Sequence, residues 1–73
     1  MPKFVIYYDD AKGDDMAAVE RALRAIGPGP VKQDGTNSCF TATLNWGTSA
    51  KDLNNLKGKL NGAANIVTSV EEG

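Results

Sequence analysis

The chain has 73 residues, 41% hydrophobic and 23% charged, the composition of one soluble globular domain near the lower size at which a core alone holds a fold. Eight basic residues against nine acidic ones leave a net charge of −1, so no long-range field favours nucleic acid or an anionic membrane. A single cysteine excludes an intrachain disulfide framework, and the lack of histidine removes the commonest general base and the commonest transition-metal ligand.

No apolar run approaches the ~18 residues needed to span a bilayer. The run after Lys3 is too short for the apolar region of a signal peptide. One cysteine and no leader predict a cytoplasmic protein without a membrane partner.

Phe4-Val5-Ile6-Tyr7-Tyr8 is a run of β-branched and aromatic residues, which predicts a central strand covered on both faces. It ends in Asp9-Asp10. Residues 9–15 read as a polar turn, with Asp14 or Asp15 capping the next helix. Met16, Val19, Leu23 and Ile26 recur at spacings of three and four, which predicts an amphipathic helix over 15–26. Gly27 ends it, and Pro28 and Pro30 prevent continuation.

A hairpin is expected next. Residues 31–34 predict a short, weak strand, and Gly35-Thr36-Asn37 a turn. From Ser38 to Trp46 the pattern alternates, with Phe40, Ala42, Leu44 and Trp46 on one side and Cys39, Thr41, Thr43 and Asn45 on the other. Ser49 with Asp52 approximates a capping box for a second helix over 49–61, whose apolar stripe is Ala50, Leu53, Leu56 and Leu60 and whose expected stop is Gly62. Residues 65–70 predict the last strand, with Ile66, Thr68 and Val70 on one face and Val67 and Ser69 on the other.

The order β-α-β-β-α-β predicts an α+β domain over 1–73, a ferredoxin-like sandwich with a four-stranded antiparallel sheet and both helices on one face. Phe4, Ile6, Leu23, Phe40, Leu44, Leu53, Leu56 and Ile66 are its expected core. The uncovered face would carry Val5, Tyr7 and Val67 as an apolar patch among hydroxyls. Those three residues are the candidate interface, and a homodimer is the expected assembly.

Function must be argued from a site, because this fold hosts many. A heavy-metal chaperone needs paired cysteines after the first strand, and none are there. An RNA-recognition motif needs stacking aromatics on strands one and three; Tyr7 could serve, but strand three offers Cys39, Thr41 and Thr43. Nothing marks the amino-acid pocket of an ACT-type regulatory domain. Cys39 lacks a histidine to activate it as a nucleophile. The remaining chemistry is the acidic turn of Asp9, Asp10, Asp14 and Asp15. Hard oxygen ligands at a strand end can hold Mg²⁺, which makes Asp9 and Asp10 the candidate metal ligands and Asp9 the candidate catalytic residue. The structural alternative is that these aspartates serve only the turn and the helix cap.

The segment Phe4-Val5-Ile6-Tyr7-Tyr8-Asp9 resembles the opening strand of the small CRISPR-associated adaptation nucleases and their VapD-like relatives. Ala25-Ile26-Gly27 closing the first helix, the helix opening Thr48-Ser49-Ala50-Lys51-Asp52-Leu53 and the closing Ile66-Val67 are also similar to them. The resemblance implies a homodimer in which Asp9 of both copies approaches a shared Mg²⁺ site, and a nuclease acting on RNA or DNA. A non-catalytic dimeric binding or interaction module related to this group is the first functional expectation, and a Mg²⁺-dependent endonuclease acting through Asp9 the second. Net charge does not support a nucleic-acid partner.

Overall fold

A computed structural model of the chain describes residues 1–10 and 15–73. Six elements follow in order: β1 (Lys3–Tyr8), α1 (Met16–Ile26), β2 (Pro28–Asp34), β3 (Cys39–Leu44), α2 (Ala50–Ala63) and β4 (Val67–Glu72). The strands form one sheet in the order β2-β3-β1-β4, with every neighbouring pair antiparallel. This is the ferredoxin-like α+β arrangement, with β1 and β3 central as their hydrophobicity requires. β1, expected to be covered on both faces, is covered by the helices on one only, and Val5 and Tyr7 on its other face are half-buried.

Alternation decides which face is covered. Phe4, Ile6 and Tyr8 of β1 and Phe40, Ala42 and Leu44 of β3 are buried on the same face. Val19 and Leu23 of α1 and Leu56 and Leu60 of α2 join them in one cluster, so both helices lie on that face. Full burial of a side chain such as Phe40 or Leu44 contributes about 1.5–3 kcal/mol. The Tyr8 and Phe40 rings pack with centroids 5.2 Å apart, and Gln33 Nε2 donates to the Tyr8 hydroxyl at 3.1 Å. No charged or polar side chain is buried among the described residues.

Most of the expected core holds, but Leu53 is only half-buried at its edge. The capping expectation at α2 is met: Asp52 N–H donates to Ser49 Oγ at 3.1 Å, and Ser49 Oγ donates to Asp52 Oδ2 at 2.8 Å. The helix runs past Gly62 to Ala63. At α1, Asp15 occupies the N-cap without a side-chain capping bond, and Asp14 lies outside the described residues.

Three strands differ from expectation. β3 runs only Cys39–Leu44, so Ser38, Asn45 and Trp46 lie outside it. β2 is not short: it begins at Pro28, which an edge strand tolerates because one side of its backbone faces solvent. Its register shifts between Pro28 and Val31. β4 starts later than expected and carries a bulge. Tyr7 pairs with Ser69 but Tyr8 pairs with Val67, which leaves Thr68 as the extra residue. The bulge reverses the alternation. Val67 therefore faces the helices and is 5% exposed, which corrects its expected place on the open face.

Candidate functional site

The open face is built by the other half of each strand's alternation. β1 contributes Lys3, Val5 and Tyr7, and β3 contributes Thr43, Thr41 and Cys39 opposite them. Pairing continues outward from these two strands. Glu71, Val5, Thr41 and Lys32 form one row across β4, β1, β3 and β2. Ser69, Tyr7, Cys39 and Asp34 form the next. Val5 and Tyr7 are half-buried by these neighbours, while Lys32 and Glu71 at the ends of their row are exposed. Of the three residues expected as an interface, the structure brings Val5 and Tyr7 together and places Val67 in the core.

Cys39 is only 5% exposed, although it lies on the uncovered face. Burial pushes its thiol above the ordinary value, and the nearby Asp34 charge pushes the same way. That disfavours the nucleophilic thiolate and fits a spectator thiol. Asp34 closes the β2–β3 turn. Its Oδ1 accepts from Thr36 N–H at 3.0 Å and Asn37 N–H at 3.2 Å, and its Oδ2 from Asn37 Nδ2 at 2.7 Å. The Asn37 side chain, then its backbone N–H, hold the Asp34 carboxyl below its ordinary value, with Thr36 N–H adding to them. Ser38, at φ 53°, turns the chain from this loop into β3. An open cavity of about 360 Å³ is lined by Lys3, Pro30, Lys32, Asp34, Thr41 and Thr43 among others.

The acidic turn begins where β1 ends. Asp9 N–H donates to Ile66 O at 2.9 Å, and Asp9 and Asp10 are both exposed. The Ser38 hydroxyl donates to the Asp10 carboxylate. Tyr8 N–H donates to Ser38 O at 3.0 Å, so Ser38 secures the end of β1 twice. Sequence reading misses this link, because no local signal connects residues this far apart. Mg²⁺ takes one or two carboxylates together with waters and substrate phosphates, and Asp9 and Asp10 would supply that pair. Among the described residues, no group of three His, Cys, Asp or Glu side chains could hold a metal ion.

Fold and site together define a ferredoxin-like α+β domain with one open sheet face. No protein-family model, curated protein or solved structure matches the chain. No helix among the described residues is long and apolar enough to cross a membrane.

Proposed function

We propose that this domain is a non-catalytic binding module that works as a homodimer in the cytoplasm, with the open sheet face as its working surface. The observation that carries the reading is the one-sidedness of the sheet. Both helices cover one face, while the other presents Val5 and Tyr7 in register between Glu71 and Ser69 on one side and Thr41 and Cys39 on the other. The face spreads two apolar side chains among hydroxyls across the width of the sheet, which suits a second protein surface. Pairing would also add buried area to a domain with a small core. Sedimentation at tens of micromolar should give twice the 7.7 kDa chain mass. Val5→Asp should give the single mass with an unchanged circular dichroism spectrum. A wild-type chain that stays at the single mass at millimolar concentration overturns the reading.

A second reading is favoured by the position of Asp9 and Asp10, both exposed at the carboxyl end of a central strand. Kinship to the small CRISPR-associated and VapD-like proteins is common to both readings; in this one Asp9 supports Mg²⁺-dependent cleavage of RNA or DNA at a dimer interface. It requires the two Asp9 carboxylates of a dimer to approach one metal. A thermal shift with Mg²⁺ that depends on Asp9 tests it.

A further inference from the structure

We infer that two copies pair open face to open face about a two-fold axis parallel to the strands, with Lys32 of each copy against Glu71 of the other. The inference rests on the reading of the open face as a self-association surface, and adds its geometry. Lys32 and Glu71 stand at opposite ends of one row, on the two edge strands. Both are exposed, and neither makes an ion pair within the chain among the described residues.

Stacked sheets lie about 10 Å apart, a gap that a lysine and a glutamate side chain bridge together. Two packed sheets keep their strands within about 30° of each other, so a two-fold axis in the interface runs along the strands or across them. An axis along the strands preserves height and reverses left and right. It lays β2 of one copy over β4 of the other. Lys32 then meets Glu71 twice, once at each end of the row. The neighbouring row follows the same operation: the Asp34 carboxylate faces the Ser69 hydroxyl of the other copy, and Tyr7 faces Cys39. Val5 meets Thr41. An axis across the strands and through the Glu71–Lys32 row lays each strand over its own copy. Lys32 then meets Lys32 and Glu71 meets Glu71, which is repulsive at both ends. Charge thus selects the first arrangement against this placement of the second. An axis across the strands midway between the two rows would instead set Lys32 against Asp34, and Glu71→Lys tells the two apart, because only the first places Glu71 in an ion pair.

The experiment is sedimentation equilibrium of the full chain as wild type, Lys32→Glu, Glu71→Lys and the double swap, each with a circular dichroism spectrum. Each single variant replaces two attractions by two repulsions and should weaken association by ~10-fold. The double swap should return to within about threefold of wild type, because the pairs are restored with reversed sign. An equimolar mixture of the two single variants should also associate, since both contacts between positions 32 and 71 in the mixed pair then join opposite charges. A monomeric wild type overturns both the surface reading and the pairing. A dimeric wild type with equally dimeric single variants overturns the pairing alone and leaves the dimer standing. Weakened single variants that the double swap does not rescue overturn it as well.

Discussion

Asn61 grips Val67 by both of its backbone polar groups. Val67 N–H donates to Asn61 Oδ1 at 2.8 Å, and Asn61 Nδ2 donates to Val67 O at 3.1 Å. The side-chain amide of a helix residue thus does for the first residue of β4 what a neighbouring strand would do. It also holds Val67 with its side chain toward the core, next to the bulge at Thr68. Asn61→Ala leaves a part-buried N–H and C=O without that partner. It should cost ~1–3 kcal/mol, seen as a fall of several degrees in Tm. Loss of protection from hydrogen exchange should concentrate at Val67. A Tm within about one degree of wild type would show that water replaces the amide at no cost.

That contact explains where sequence reading succeeds and stops. Phe4, Ile6, Phe40 and Leu44 obey strict period two, so their face is legible directly. Met16, Val19, Leu23 and Ile26 are equally plain on α1. The same rule applied to β4 puts Val67 outside, because a bulge adds one residue to one strand and inverts everything beyond it. No composition or spacing in 65–70 marks that bulge. Its anchor is a side chain on another element. The full length of β2 is hidden for a related reason: Pro28 and Pro30 are poor sheet residues in general, and only the edge position makes them acceptable. Val5 and Tyr7 can be read as a surface pair. The row joining Lys32 to Glu71 cannot, since it depends on the register of both edge strands.

Gly29 on β2 has no room for a side chain against Thr43 of β3. A Cβ built there would collide with Thr43 Cβ and lie 2.8 Å from Thr43 O, both parts of the sheet itself rather than the tip of a flexible side chain. Gly29→Ala must therefore push the edge strand away. The expected cost is about 1–3 kcal/mol, read as a lower urea midpoint. The contact is with the Cβ of Thr43, so Thr43→Ala should not rescue it.

Asp34 makes the hairpin turn sensitive to acid. Its carboxyl is held below the ordinary value of 3.8 by Asn37 and Thr36, so the folded state prefers the ionised form. The sign follows: the contribution is present above the unfolded value and is lost as pH falls through the folded one. Wild type should lose stability on acidification below about pH 4, in the range where an ordinary aspartate titrates. Asp34→Asn cannot titrate and should lose less over the same range. Parallel pH-dependent slopes for the two chains would place the acid sensitivity elsewhere.

Asp9→Ala separates the two functional readings, because they predict opposite signs for one substitution. If Asp9 and Asp10 are a Mg²⁺ pair, their charges repel in the metal-free fold. Removing one should then stabilise that fold by ~0.5–1 kcal/mol while abolishing any response to Mg²⁺. If Asp9 serves the turn, its carboxylate contributes favourable contacts where β1 leaves the sheet. Its loss should then cost up to ~1 kcal/mol, with Mg²⁺ changing neither protein. The binding-module reading expects the second result: a slightly lower Tm for Asp9→Ala, and melting curves of both proteins unmoved by millimolar Mg²⁺. Four melts settle it, wild type and variant with and without the metal. A Tm that rises with Mg²⁺ in wild type and not in Asp9→Ala would reverse the ranking. Cleavage of RNA and DNA by the wild-type protein would then be the measurement to make.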